Sequence, residues 1–208
     1  MEGLDKMTTT RKIPIGISAR HVHVSQEHLE LLFGPGHKLT SIKDLTQPGQ
    51  FAADERVTLV GPKGEIQKAR ILGPVRKATQ VEISRTDCYA LGVAAPVRES
   101  GDIKGTPGIV IIGPYGPVKI EQGVIVAKRH IHFTPEDAKE YGVTDGQKVM
   151  VKTEGERPLI FDDVVARVRE DFALDMHLDT DEANAAGLNQ GDMVTILDDD
   201  TAAAMRKA

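Results

Sequence analysis

The sequence predicts a mainly β protein of the barrel or sandwich kind, organised in two related halves. Short runs of β-branched and aliphatic residues recur between Gly/Pro turns, and the helical stretches between them are brief. One motif also occurs twice. Ser18-Ala19-Arg20-His21-Val22-His23-Val24-Ser25 returns as Val126-Ala127-Lys128-Arg129-His130-Ile131-His132-Phe133-Thr134.

Taken in order, residues 1–12 are polar and carry no pattern. Ile13, Ile15, Ile17, Val22 and Val24 mark a strand from Ile13 to Val24. Ser25 is placed to cap a short helix through Leu29, Leu32 and Phe33, stopped by Gly34-Pro35-Gly36. Residues 38–54 hold turn signals. Arg56–Val60 and Glu65–Leu72 form a hairpin around Gly61-Pro62-Lys63-Gly64. Gln80–Ser84 is a strand, and Thr86-Asp87 opens a helix that ends at Gly92. Val93–Arg98, Ile109–Ile112 and Val118–Ile120 are further strands, followed by a longer one from Val124 to Phe133. Thr134-Pro135-Glu136-Asp137 is a helix start, with a hydroxyl cap, proline at the first position and acids in the first turn; Gly142 ends that helix. Strands follow at Lys148–Lys152, Leu159–Phe161, Val164–Val168, Leu174–Leu178 and Met193–Leu197. Asp198-Asp199-Asp200-Thr201 onward reads as a solvated tail.

Composition narrows the function. The 208 residues, 40% hydrophobic and 27% charged, suit a globular protein of one or two small domains. No apolar run approaches the roughly 18 residues of a membrane span, and the N-terminus lacks a secretory apolar stretch. A net charge of −5, with aromatics at 4% and no Trp, argues against nucleic acid as partner. The single cysteine, Cys88, excludes an internal disulfide framework and fits a reducing cytosol. Any metal must then be held by imidazoles and carboxylates.

Residues i and i+2 of a strand face the same way, so each motif projects two imidazoles together. Taken singly, His-x-His is a weak signal; two copies in matched surroundings point to a pair of metal sites. A second match supplies a third ligand to each. Val81-Glu82-Ile83-Ser84-Arg85-Thr86-Asp87 aligns with Met176-His177-Leu178-Asp179-Thr180-Asp181-Glu182. Glu82 alone reads as a partner for Arg85, and its alignment with His177 is what raises it. The sets are then His21, His23 and Glu82, and His130, His132 and His177. Three protein ligands with an open position is the catalytic zinc pattern, although cobalt, nickel or iron would accept the same donors. His28 and His37 lie outside the repeat and are read as ordinary helix and loop residues.

These stretches, with Gln47-Pro48-Gly49-Gln50-Phe51, Val60-Gly61-Pro62-Lys63-Gly64 and Gly105-Thr106-Pro107-Gly108-Ile109, resemble the phosphotransacylases of bacterial microcompartments, the phosphate propanoyltransferases of propanediol degradation. The resemblance runs from about Ile13 to about Leu197. It implies two small β-barrels capped by short helices with a dinuclear zinc site between them. One barrel would take residues 13–19 with 128–197, and the other 20–127 with an inserted hairpin region, leaving a polar segment 1–12 and a tail 198–208. It implies reversible transfer of propanoyl, and also acetyl, between coenzyme A (CoA) and phosphate, with two zinc ions on the six ligands above. It further implies Arg76 as the catalytic, phosphate-binding guanidinium, and Ile17, Ser18, Ala19, Lys63, Arg70 and Asn184 as CoA contacts. Tyr89 is a weaker candidate for stacking on the adenine. The expected partners are acyl-CoA, CoA, phosphate and acyl-phosphate, in the cytoplasm or inside a microcompartment; shell or lumen partners and a homo-oligomer stay open. Residues 1–12 are too short and polar for the amphipathic encapsulation helix of such enzymes. The other readings are a dinuclear metallohydrolase acting on a thioester, lowered because no bridging Asp accompanies either motif, and a non-catalytic metal-binding module, against which Lys63, Arg70 and Arg76 stand.

Overall fold

A computed structural model describes residues 12–207; the polar segment, apart from Lys12, lies outside the described residues. The chain begins with β1 (Lys12–Ser18), β2 (His21–His23) and α1 (Gln26–Phe33). Next come β3 (Ser41–Asp44), β4 (Phe51–Val60), β5 (Glu65–Gly73), β6 (Gln80–Glu82), α2 (Arg85–Leu91) and β7 (Val97–Arg98). β8 (Ile109–Ile112), β9 (Pro117–Ile120), β10 (Val124–Ala127), β11 (His130–Phe133) and α3 (Pro135–Tyr141) follow. The last elements are β12 (Lys148–Lys152), β13 (Ile160–Val168), β14 (Asp175–Asp179), α4 (Thr180–Ala186), β15 (Met193–Ile196) and α5 (Asp199–Lys207).

The predicted strands Ile13–Val24 and Val124–Phe133 each break in two, and the hydrophobic pattern explains why. Ile13, Ile15 and Ile17 occupy odd positions, whereas Val22 and Val24 occupy even ones. A strand with one buried face cannot change phase in this way. Instead the chain changes cores: Ile13 and Ile15 are buried in one cluster, Val22 and Val24 in another. The second break reverses the move, with Val124 and Val126 in the core of Val22 and with Ile131 and Phe133 in the core of Ile13.

The two cores belong to two sheets. β1, β14, β11, β13, β12 and β15 close a six-stranded barrel in that order. The other sheet has nine strands, β7-β10-β6-β2-β5-β4-β8-β9 with β3 on β4. It is open, where a second closed barrel was expected. Its end strands are short: β7 has two residues and β9 four, the first of them Pro117, which has no amide hydrogen to donate.

Smaller differences have local causes. β3 falls where only turns were predicted, because all four of its residues are exposed and give no alternation. α2 is capped by Ser84, two residues before the predicted opening at Thr86-Asp87; Ser84 and Asp87 form a capping box. The stretch expected as a solvated tail winds into α5, with Ala202 buried and Arg206 paired to Asp162 at 2.7 Å. α1 and α3 start on Ser25 and Thr134 as predicted, so each His-x-His strand runs directly into a capped helix.

Phe133 is fully buried at the centre of the barrel core. Phe133→Ala should lower unfolding stability by about 3–5 kcal/mol, read from the denaturant midpoint. A loss below about 1 kcal/mol, the scale of a surface change, would contradict this packing.

Candidate metal centre

β2 lies antiparallel to β6 with His21 opposite Glu82, so the carboxylate joins the face that carries His21 and His23. All three residues are buried, and their ligand atoms lie within 4.8 Å of one another. His21 Nδ1 donates to the Ala19 carbonyl at 2.9 Å, and His23 Nδ1 to the Leu72 carbonyl at 3.3 Å. With those protons placed, each Nε2 presents a lone pair. Yet His21 Nε2 sits 3.4 Å from Glu82 Oε2, and His23 Nε2 3.8 Å from Oε1. Acceptors turned toward acceptors need a cation or an added proton between them. The electrostatics agree: burial pushes His21 down, but the Glu82 charge together with the hydrogen bonds to Glu82 and to the Ala19 carbonyl outweighs it, and the net shift is upward. Burial also opposes ionisation of Glu82, and the two imidazoles overcome it, holding the carboxyl well below its usual range. Glu82 Oε1 is fixed by Gln80 Nε2 at 2.6 Å and Ser100 Oγ at 2.9 Å.

The second set is assembled in the same way. β11 lies antiparallel to β14 with His130 opposite His177, and His130, His132 and His177 bring ligand atoms within 4.8 Å. His130 Nδ1 donates to the Lys128 carbonyl at 2.7 Å, two residues back, as His21 does to Ala19. Burial and the neighbouring His177 lower the His130 pKa to about 4, and burial with His130 lowers that of His132 to about 2. His132 Nδ1 is buried with no hydrogen-bond partner among the described residues. An orphaned buried nitrogen costs about 1–3 kcal/mol. His177 Nε2 lies 3.2 Å from Asp175 Oδ2, a buried carboxylate that can orient the ring and leave Nδ1 unprotonated. Gly16 makes room for it, since a Cβ there would stand 2.7 Å from Asp175 Oδ2. Neutral, crowded imidazoles with an unmet nitrogen fit a bound metal ion, as the mixed His/Glu set does.

The arginines of the repeat have a structural role. Arg20 grips Asp87 through Nη2 at 2.8 Å and Nε at 3.0 Å; Arg129 binds Glu182 through Nη1 at 2.7 Å. Asp87 and Glu182 are the capping-box residues at the starts of α2 and α4, the helices that follow the third-ligand strands. Each arginine thus ties its His-x-His strand to the strand–helix unit carrying the third ligand. The two solitary histidines have local partners: His28 Nδ1 is 2.7 Å from Thr79 Oγ1, and His37 pairs with Glu55 at 2.8 Å.

Both sets open into one cleft of about 700 Å³. A cavity of about 30 Å³ beside it touches Ser18, Ala19, Glu82, His130 and His177 together. Ile17, Ser18, Ala19, Arg70 and Arg76 line the larger cleft. Lys63 and Asn184 do not; both are exposed, Lys63 in the β4–β5 turn and Asn184 on α4. Tyr89 is 75% exposed on α2. Arg76 is half-buried and donates to Ser100 Oγ at 3.1 Å, the same hydroxyl that holds Glu82. Burial, reinforced by the charge of Arg167 and opposed by Glu82, lowers the pKa of this guanidinium, which stays a cation at any ordinary pH. Sequence reasoning missed Gln47, Arg167, Arg169, Phe172 and Asp175 in the cleft wall. The side-chain amide of Gln47 spans the cleft mouth, donating to the Ala173 carbonyl at 2.9 Å and accepting from its N–H at 3.1 Å. The alternation Arg167-x-Arg169 was the one available signal for its pair, but it identifies a face only once the neighbouring strand is known.

Metal-free protein should show a pH dependence from these shifts. His23, His130 and His132 have folded pKa values of about 3, 4 and 2 against 6.5. Between pH 6.5 and 4 the unfolded chain therefore binds more protons at these sites, and stability falls as pH falls. His21, raised, works in the opposite direction, giving stability below pH 6.5 that is lost as pH rises, but it is one group against three. Chelator-treated protein should have a lower denaturant midpoint at pH 5 than at pH 7; an equal or higher midpoint would contradict these environments.

Comparison with known proteins gives the family. The family model for phosphate propanoyltransferase matches residues 14–189. A phosphate propanoyltransferase of Thermotoga maritima is 65% identical over 187 residues, 89% of each chain. The Listeria monocytogenes phosphate propanoyltransferase is 55% identical over 179 residues, 86% of this chain and 84% of its own. That of Citrobacter koseri is 53% identical over 195 residues, 93% and 92% of the two chains. The chain belongs to the phosphate propanoyltransferase family.

Proposed function

We propose that this transferase moves a propanoyl group, and also acetyl, reversibly between CoA and inorganic phosphate, using two zinc ions held by the two three-ligand sets. The observation that carries the reading is the pairing of those sets at one cleft whose wall also presents Arg70 and Arg76. The family membership supplies the acyl and phosphoryl partners; the chemistry of the residues supplies the roles.

A phosphate oxygen attacks the thioester carbonyl carbon, a C–O bond forms, and the C–S bond breaks. Acyl-phosphate results, and the proton carried by the attacking phosphate ends on the CoA sulfur. Arg76 holds and orients the phosphate, for which a guanidinium offers parallel charge-assisted hydrogen bonds. Ser100 fixes Arg76 relative to Glu82, so the anion site and the first ligand set share one hydroxyl. Ile17, Ser18 and Ala19, at the end of β1, are assigned to the CoA arm that reaches the cleft, with Arg70 on its phosphates. Lys63 and Asn184, outside the cleft wall, are assigned to the distal part of CoA, and Tyr89 to its adenine. The metals would supply Lewis acidity toward the developing oxyanion and a soft partner for the thiolate. In this reading the His21/His23/Glu82 set serves the sulfur and the His130/His132/His177 set serves the carbonyl or phosphate. The like construction of the two sets also supports an internal duplication. The proposed setting, cytoplasm or microcompartment lumen, rests on the sequence resemblance; no described helix is long and apolar enough to cross a membrane.

Purified protein given propanoyl-CoA should release free thiol only when phosphate is present, should stop on chelation, and should recover with zinc. Release without phosphate would overturn this in favour of a hydrolase, and no release by metal-loaded protein in favour of a non-catalytic module. Arg76→Ala should raise the phosphate KM by about 10- to 100-fold, the scale of a lost charge-assisted hydrogen bond. An effect confined to the CoA KM would contradict its role.

A further inference from the structure

The reading above gives phosphate one guanidinium, from the open sheet. The barrel offers another. Arg167 lies on β13 as the parallel-register partner of His132, and partners in a ladder project from the same face of the sheet. Its side chain therefore emerges beside that imidazole and lines the cleft that Arg76 lines. Among the described residues the Arg167 guanidinium makes no hydrogen bond and no ion pair; it lies over the Phe172 ring, 5.7 Å from the guanidinium carbon to the ring centroid. Phe172 in turn packs on His132 with ring centroids 4.1 Å apart.

Of the other guanidiniums at the cleft wall, Arg20 holds Asp87 and Arg169 holds Asp171 at 2.6 Å, while Arg70, assigned to the CoA phosphates, donates to the Ala53 carbonyl. Among the described residues the Arg76 guanidinium has a neutral hydroxyl as its only hydrogen-bond partner, and that of Arg167 has none. The one nearby carboxylate that attracts Arg76, Glu82, is already met by His21, His23, Gln80 and Ser100. Two guanidiniums, one from barrel strand β13 and one from the β5–β6 loop of the open sheet, thus line one cavity, close enough that the Arg167 charge disfavours the charged form of Arg76. Like charges held together in a half-buried cleft repel, and a dianion between them turns that repulsion into two attractions.

We propose that Arg167 is a second phosphate-binding residue, closing with Arg76 a two-guanidinium clamp on the phosphate dianion across the cleft. Phe172 is its positioning residue, keeping the guanidinium beside His132. The clamp rests on the proposed transferase reading, and it adds that phosphate bridges the barrel and the open sheet. Bound phosphate should therefore raise the thermal midpoint by mass action.

The test uses zinc-loaded protein and inorganic phosphate, followed by calorimetric titration and by the KM values for phosphate and propanoyl-CoA. Arg167→Ala should weaken phosphate binding and raise its KM by about 10- to 100-fold, and leave the propanoyl-CoA KM within about twofold. Arg167→Lys, which keeps the charge and loses the planar fork, should fall between wild type and Arg167→Ala, and it serves as the second variant if the alanine form does not fold. Unchanged phosphate affinity in a folded Arg167 variant of an active enzyme would overturn the clamp and leave the transferase reading standing. Arg167-dependent phosphate binding by a wild-type protein that releases no thiol would do the reverse.

Discussion

The structure depends on two opposite crossings of the chain between its sheets. At Ala19–Arg20 the backbone leaves the barrel for the open sheet, and at Lys128–Arg129 it returns. Each crossing ends on a His-x-His strand, which places both imidazole pairs where the two sheets meet. The crossing itself does the orienting. The carbonyls of Ala19 and Lys128 take the Nδ1 protons of His21 and His130, and Arg20 and Arg129 bind the starts of α2 and α4. The third ligand then arrives by antiparallel pairing, which sets Glu82 across from His21 and His177 across from His130. A metal site made of short strands needs such external restraint, because a three-residue strand such as β2 has few ladder bonds of its own.

The two sets share construction and differ in charge. Glu82 is held anionic by the imidazoles around it, so the first set would bring a negative charge to a bound metal. The second set is three imidazoles, two of them with strongly lowered pKa, and brings none. A metal on the second set would therefore keep more of its positive charge and would be the stronger attractor of anions. Arg167, in register with His132, adds to that field from the barrel side, and Arg76 adds to it from the open sheet. Under the proposed reading, that asymmetry would divide thiolate and oxyanion between two otherwise matched ligand sets.

Much of the site was legible in the sequence because it is repeated. Comparing the halves singled out six side chains from distant segments, and the structure gathers them into two groups of three. The phase change in Ile13–Val24 was also present in the sequence, as odd-numbered isoleucines followed by even-numbered valines. Reading the whole run as one strand hid the crossing. Other features left no local trace. β3 is exposed at every residue, α5 is anchored by a pairing with the distant Asp162, and the second sheet ends at β7 and β9 without closing. Arg167 and Phe172 gain meaning only from the register of β13 against β11, a non-local pairing that no sequence period encodes.

The most direct measurement is the zinc content of purified wild-type protein and of His130→Ala, by elemental analysis, with circular dichroism as the check on folding. The account predicts two zinc ions per chain in the wild type, and about half that content in a folded His130→Ala, because the sets have separate ligands. Unchanged metal content in the variant, or loss of all metal with the fold intact, would contradict two independent centres.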